Sequence, residues 1–331
     1  MNKEQIEKIF EGLTQLRVLV IGDVMLDNYW WGHVERISPE APVPVVALDK
    51  RDSRLGGAAN VALNCVRLGA KVSLASVTGN DAEGEQLVKM ANSEGIDTGL
   101  VLKSKFRPTT TKTRVMSRNQ QMLRLDAETT EDLSAADEHP FIDTVLRHIQ
   151  IEKPDVVILE DYNKGVLKEN VIQRILAHCK ELGCITAVDP KKKNFLCYKG
   201  VTVFKPNLKE VREGLYLPVE NATEAELGEV HQKLRGALGH SITFITLSEK
   251  GVYYNDGKAA VIPSHLRNIS DVSGAGDTVI AAASLIYAVS KDAGVMAAIS
   301  NIAGGLVCEE VGVVPVDAAH LKRECIELLT K

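Results

Sequence analysis

The sequence predicts an α/β fold: a mostly parallel central sheet with helices on both faces and a small β-sheet lid set against it. Three observations carry that prediction. Short apolar runs alternate with helical stretches along most of the chain, the pattern of a doubly covered parallel sheet. The first such run, Arg17 to Gly22 (RVLVIG), is apolar throughout and ends in glycine, as a buried parallel strand reads. Two further stretches break the rhythm with proline, threonine and loose alternation, which suits edge strands outside the main sheet.

The elements follow in order. Met1 to Gly12 is charged and amphipathic, with Ile6, Ile9 and Phe10 on one face, and reads as a surface helix rather than a signal peptide. Trp30 to Leu48 carries three prolines and suggests an exposed hairpin, and Phe106 to Asp126 repeats its character. Together these two stretches are expected to form the lid, over residues 28–50 and 106–126. Helical Ala58–Leu68 precedes strand Lys71–Val77, and helical Gly84–Glu94 follows. Strand Val156–Leu159 leads to helix Lys168–Leu182 and strand Ile185–Asp189. Strand Val201–Lys205 runs into a helix from about Leu208, strand Ile242–Leu247 comes later, and Thr278 to Val289 reads as a buried helix. No repeat or low-complexity segment interrupts the series, so the 331 residues are expected to form one domain with an inserted lid.

Composition excludes several classes. With a net charge of −5 and Lys191-Lys192-Lys193 as its one basic run, the chain lacks a nucleic-acid footprint, although that run suits a small phosphate. No segment approaches the ~18 apolar residues of a membrane span. Cysteines 65, 179, 184, 197, 308 and 325 form no C-x-x-C pair and read as reduced thiols of a cytoplasmic protein. The histidines show no zinc-ligand spacing.

The most informative motif is Asp271-Val272-Ser273-Gly274-Ala275-Gly276-Asp277, which runs straight into the apolar helix. Glycines at a helix start leave backbone N–H groups open to an anion, and an aspartate there can take a proton from an attacking hydroxyl. Those are the parts of phosphoryl transfer. The plainer alternative is a helix start with small residues for packing. Gly56-Gly57-Ala58-Ala59-Asn60 permits close backbone approach and offers an amide, or is simply a glycine turn. Asp27 follows the first strand, where ligands gather in open sheets, or else caps a turn. Asn207 and Glu210 share a helix face and suit a hydrated Mg²⁺, yet the same spacing makes an ordinary capping box. Asp161, Asp189-Pro190-Lys191 and the turn Thr246 to Gly251 also close strands. The chain contains no P-loop, the glycine turn lacks the last position of the dinucleotide fingerprint, and no G-x-S-x-G elbow occurs.

Taken in order, Gly56-Gly57 with Asn60, Asn207-x-x-Glu210 and the Asp271–Asp277 block resemble the ribokinase-like (PfkB) family of carbohydrate kinases across nearly the whole chain. Val24-Met25-Leu26-Asp27-x-Tyr29-Trp30, the run Arg36 to Val45 (RISPEAPVPV) and Ser117-Arg118-Asn119-Gln120-Gln121 are closer still to one branch, the heptose 7-phosphate kinases of ADP-heptose synthesis. Ser273 departs from the threonine common in the family but keeps the hydroxyl. The resemblance implies ATP-dependent phosphorylation of the anomeric hydroxyl of D-glycero-β-D-manno-heptose 7-phosphate. It makes Asp277 the base and Gly274, Ala275 and Gly276 the anion hole. It gives the sugar to Asp27, Gly56, Gly57, Asn60 and Asp161. Asn207 and Glu210 would organise Mg²⁺ and phosphates, with Ser248, Gly251 and Asn301 near the nucleotide. Arg114, Arg118, Lys164 and Lys191 are the candidates for the sugar's own phosphate. A homodimer through the lid is implied, and a monovalent cation is left open. Ending at Lys331, the chain reads as the kinase alone, with nucleotidyl transfer left to a separate protein. A kinase for another sugar or a nucleoside, and an inactive sugar-responsive regulator, stay open as alternatives.

Overall fold

A computed structural model describes residues 1–118 and 120–330; Asn119, part of the Ser117–Gln121 run, and Lys331 lie outside the described residues. The strands in chain order are β1 (Arg17–Gly22), β2 (Val24–Ile37), β3 (Pro44–Gly57), β4 (Lys71–Gly79), β5 (Asp97–Ser104), β6 (Thr111–Ser117), β7 (Gln120–Ala127), β8 (Val156–Glu160), β9 (Ile185–Asp189), β10 (Val203–Phe204), β11 (Ile242–Thr246), β12 (Val252–Asn255) and β13 (Ala259–Ile262). The helices are α1 (Lys3–Leu13), α2 (Ala58–Arg67), α3 (Ala82–Ser93), α4 (Ala135–Glu152), α5 (Glu169–Glu181), α6 (Leu208–Leu215), α7 (Glu224–Leu238), α8 (Ala275–Ser290), α9 (Ala293–Val307) and α10 (Ala318–Leu329).

Nine strands form the main sheet in the order β13-β12-β11-β10-β9-β8-β1-β4-β5. From β11 to β5 every pairing is parallel; β12 and β13 extend one edge antiparallel. Helices cover both faces because the strands are apolar on both: β8 is buried at every position. One core lies between the sheet and α1, α2, α8, α9 and α10, and contains Val20, Ile158 and Ala187. The other lies under α4, α5 and α7 and contains Leu19, Leu159 and Val188. Alternate residues of one strand therefore serve opposite cores, and that parity decides which strand-end residues reach the site.

The second sheet has four strands in the order β3-β2-β6-β7. Its hairpin is longer than residues 28–50, because β2 leaves the main sheet directly at Val24 and β3 returns as far as Gly57, at the start of α2. Edge strand β7 is exposed along its whole length. Strand β5, helix α4 and the region from α9 to the C-terminus carry regular structure that the sequence pattern left unassigned. All six cysteines are unpaired. Among the described residues no helix is long and apolar enough to cross a membrane.

Candidate active site

Two glycine-capped helix starts face each other at the centre. Gly57 precedes α2 with φ +59° and Gly274 precedes α8 with φ +80°, and neither helix has a side-chain cap. Both glycines occupy the left-handed region that a side chain would strain. The helices are bound across this junction: Asn60 Nδ2 donates to Asp277 Oδ2 at 2.7 Å, and one turn on Thr278 Oγ1 donates to Asn64 Oδ1 at 3.0 Å. In the glycine turn, the N–H of Ala275 donates to the Val272 carbonyl at 3.3 Å, whereas those of Gly274 and Gly276 have no backbone acceptor among the described residues. Of the three residues expected to form an anion hole, the two glycines therefore have N–H groups without a backbone acceptor among the described residues, and Ala275 does not.

Asp277 is buried and held at both oxygens. Besides Asn60, the Tyr162 hydroxyl donates to Oδ1 at 2.8 Å. Burial raises its carboxyl to about 6, against the lowering effect of those two hydrogen bonds, while Asp189 adds to the rise. A carboxylate so poised is ionised at neutral pH yet basic enough to accept a proton. Tyr162 was not among the sequence candidates. Its ring carries two ammonium groups, Lys112 Nζ at 5.4 Å and Lys191 Nζ at 5.3 Å from the centroid.

The ends of β8, β9 and β10 bring charges together below the glycine turn. Lys191 Nζ meets Glu210 Oε1 at 2.5 Å and Asp189 Oδ1 at 3.4 Å, and the fully buried Lys205 reaches Asp189 Oδ2 at 2.7 Å. Burial alone would depress the Lys191 ammonium, but Asp189, Glu210 and Glu160 outweigh it and raise its pKa. Glu160 is wholly buried, and neither of its oxygens has a hydrogen-bond partner. Burial, with Asp189 and Asp277 adding to it, raises its carboxyl well above the ordinary range.

Asp161, expected at the sugar, is a correction. One residue beyond Glu160, it points to the opposite face of the sheet. There its carboxylate is bonded by the Asn163 N–H (2.8 Å), Asn194 Nδ2 (3.1 Å) and the Tyr198 hydroxyl (2.7 Å), and it supports the loop instead. Asp23 fixes the other side of that loop by accepting the N–H groups of Tyr162, Lys164 and Val166 at 2.9–3.0 Å. The parity of Val156, Ile158 and Glu160 was the available signal for choosing Glu160.

On the second sheet, Asp27 Oδ1 pairs with Arg114 Nη1 at 2.5 Å. A Cβ at Gly56 would run into the Asp27 carboxylate, so the glycine is required by its neighbour. Lys112 lies opposite Asp27 in register and is half-buried; among the described residues it makes no ion pair. Burial lowers its pKa. Lys164 is bound to Glu128 at 2.6 Å. Arg118, also expected near the sugar, is exposed at the far turn of this sheet, where its N–H meets the Gly32 carbonyl. Gly32 is about 17 Å of strand beyond Asp27, so this chain's Arg118 does not join the site. The basic run disperses as well: Lys192 sits over the Tyr216 ring and Lys193 pairs with Asp132.

Asn207 and Glu210 do form a capping box. Asn207 Oδ1 accepts the Glu210 N–H at 2.9 Å, and Glu210 Oε2 accepts the Asn207 N–H at 2.8 Å. This leaves Oε1 facing Lys191. Asn207 bridges to Thr246 at the end of β11, two residues before Ser248. Gly251 packs on the Ile262 carbonyl, and Asn301 Nδ2 donates to the Pro263 carbonyl at 2.9 Å, so both border the same short connection after β13.

The chain is similar to known carbohydrate kinases. The pfkB family carbohydrate kinase profile matches residues 15–318. A D-beta-D-heptose 7-phosphate kinase of Bordetella bronchiseptica is 42% identical over 317 residues, covering 95% of this chain and 97% of its own. Bifunctional protein HldE of Geotalea uraniireducens is 36% identical over 98% of this chain, and that of Methylobacillus flagellatus is 41% identical over 93%. The chain spans 66% and 62% of those two proteins. Among solved structures, Escherichia coli phosphofructokinase-2 in complex with potassium superposes with a TM-score of 0.79 at 16% identity, covering 96% of this chain and all of that one. Arabidopsis thaliana ribokinase complexed with ribose and ATP gives 0.72 at 17% identity, covering 93% and 99%. At such identities the superpositions establish the ribokinase-like fold and nothing finer.

Proposed function

The chain belongs to the pfkB family of carbohydrate kinases, and we propose that it transfers the γ-phosphate of ATP to the C1 hydroxyl of D-glycero-β-D-manno-heptose 7-phosphate. The product would be the 1,7-bisphosphate used in ADP-heptose and lipopolysaccharide core synthesis. The observation that carries the reaction type is the clamped, buried Asp277 at the start of a glycine-capped helix. The Bordetella relative supports the substrate.

In this reading the Asp277 carboxylate takes the proton of the sugar's C1 hydroxyl as the oxygen attacks phosphorus. Gly274 and Gly276 offer N–H groups to the transferring phosphoryl group, and the helix dipole favours its charge. Lys205 lies beside Gly276, about as far as a Cβ there would sit in contact, and adds positive charge at that point. Asp27, with Gly56, Gly57 and Asn60, receives the sugar hydroxyls. Of the basic groups near the sugar, Arg114, Lys164 and Lys191 already hold carboxylates. Lys112 is therefore the best supported partner of the 7-phosphate.

Mg²⁺ fits the strand-end cluster. Glu160, Asp189 and Glu210 supply three carboxyl groups against the two ammonium groups of Lys191 and Lys205, and both Glu160 oxygens lack partners. Among the described residues no three ligating side chains converge directly on one point, so these groups would hold the ion through water, with Asn207 nearby. When bound, the ion would neutralise charge on the ATP phosphates. The second sheet would cover the sugar and exclude water. On its edge, Leu123 and Leu125 lie two residues apart on one face, 53% and 47% exposed, which supports pairing with a second copy through the lid. A cytoplasmic location belongs to the same proposal.

The test is ADP release with Mg-ATP and heptose 7-phosphate, beside the unphosphorylated heptose and a panel of other sugars and nucleosides. Turnover at least about tenfold better with the phosphorylated heptose is expected, since one charge-assisted phosphate contact is worth that much. Turnover only with other acceptors would discard the heptose. ATP binding without turnover on any acceptor would favour a regulatory protein.

A further inference from the structure

One side chain of the sugar-side sheet has no part in that chemistry. Arg54 lies on β3 opposite Asp27, yet its guanidinium reaches into the loop between α9 and α10. Its Nη1 donates to the carbonyls of Val311 at 2.9 Å and Val313 at 3.1 Å. The guanidinium lies 4.9 Å from the centre of the Tyr29 ring, and Nε donates to Asp52 at 3.3 Å. Tyr29 is buried and also carries Arg114, 5.2 Å from its ring centre, and Arg114 holds Asp27.

The other side of the same loop is tied to the glycine turn. The N–H of Gly312 donates to Asp271 Oδ2 at 2.9 Å, and Asp271 Oδ1 accepts the Ser273 N–H at 2.9 Å. Gly312 has φ +75°, and a Cβ there would press on Arg54 Nη1 and the Tyr29 hydroxyl. Val313 lies against Gly274, where a Cβ would come within 3.2 Å of its Cγ1. An unbroken set of contacts thus runs from Asp27 through Arg114, Tyr29, Arg54 and residues 311–313 to Asp271 and Gly274.

We propose that Arg54 is a positioning residue that couples the sugar-binding sheet to the phosphate-binding glycine turn. The proposal rests on the reading above, in which Asp27 meets the sugar and the turn meets the transferring phosphoryl group. Residues 311–313 have no secondary structure of their own, so their position is set by what they bind. Arg54 holds them from the sheet and Asp271 holds them from the turn. Seating the sugar fixes the sheet, the sheet fixes the loop, and the loop fixes the N–H groups that receive the phosphate. Because coupling between two sites is reciprocal, the nucleotide must tighten the sugar as much as the sugar tightens the nucleotide.

The experiment measures binding of Mg-AMP-PNP with and without heptose 7-phosphate, for the wild type, Arg54→Met, Arg54→Lys and Gly312→Ala. In the wild type the sugar should tighten the nucleotide by roughly 5- to 150-fold, the usual range for coupled sites. In R54M and G312A that factor should fall to within about twofold, and kcat should drop at least about tenfold. Nucleotide affinity without sugar should stay within about threefold of wild type. Lysine keeps a cation near Tyr29 and should restore part of the coupling. Undiminished coupling in R54M and G312A, absent coupling in the wild type, or equal loss of nucleotide affinity with and without sugar would each overturn the proposal. If the wild type neither binds nor phosphorylates heptose 7-phosphate, the substrate reading fails on its own. Arg54 is then judged by hydrogen exchange at residues 271–276 of the free protein: faster exchange in R54M supports the latch, and unchanged exchange overturns it.

Discussion

The glycine turn at α8 and the strand ends beneath it build the two halves of the site by different means. In the turn, the proposed base and phosphate donors are neighbours in sequence, and one backbone conformation, the left-handed Gly274 followed by a helix, places them all. At the strand ends, Glu160, Asp189, Lys191, Lys205 and Glu210 come from four separate segments. They meet only because β8, β9 and β10 run parallel and in register. A contiguous motif keeps its function when its surroundings are unknown. A distributed cluster depends on which face each strand presents, and a shift of one residue exchanges a site residue for a supporting one.

The largest expected effect belongs to the turn. Replacing Asp277 with Asn should leave the fold and ATP binding intact and lower kcat by at least about 100-fold, the usual lower bound for losing a general base. Steady-state ADP release checks this, and turnover within a few-fold of wild type would remove Asp277 from the proton transfer. The strand ends should respond more weakly, and by face. Glu160→Gln removes the unpartnered carboxyl beside Asp189 and should raise the Mg²⁺ concentration for half-maximal rate by roughly tenfold, about 1.4 kcal/mol of lost ion binding. Asp161→Asn, one residue on, should cost about 1–3 kcal/mol of stability through its lost hydrogen bonds and leave the Mg²⁺ dependence alone. Denaturant melts and Mg²⁺ titrations of both variants decide it. If D161N shifted the Mg²⁺ requirement and E160Q did not, the assignment of faces would be reversed.

The same contrast explains what was legible in the sequence. Apolar runs such as Arg17–Gly22 and Ile185–Asp189 gave strands at the expected bounds, because burial on both faces leaves an unbroken hydrophobic signal. Gly56 and Asn60 were visible through their neighbours, and each proved to serve one, Asp27 and Asp277 respectively. Tyr162, Lys112 and Lys205 were missed because nothing local marks them. A tyrosine after a strand, a lysine in an edge-like stretch and a lysine before proline acquire meaning only when loop 161–167, β6 and β10 converge on Asp277. Asp161 was a candidate because it closes its strand, and Glu160 was not considered because parity along the strand was not weighed. Arg118 was a candidate as a basic residue within a lid motif, whereas the extended β6 carries it to the far turn.

The smallest effect tests how the two halves meet, since Tyr162 comes from the strand-end side and its hydroxyl donates to the base in the turn. That hydrogen bond favours the ionised carboxylate, and burial opposes it, leaving the Asp277 carboxyl at about 6. Below that pH the base is protonated, so kcat/KM should fall as pH drops through 6. Tyr162→Phe removes a donor to the charged form and leaves the burial, so the folded-state pKa must rise and the acid limb must move to higher pH. The consequence is a variant that is within about twofold of wild type at pH 8 and several-fold slower at pH 6. A pH–rate profile of kcat/KM for the two proteins reads this directly. An acid limb that stayed in place would mean that the hydroxyl does not hold the Asp277 carboxylate in the free protein, so that the strand ends and the turn are not joined through Tyr162.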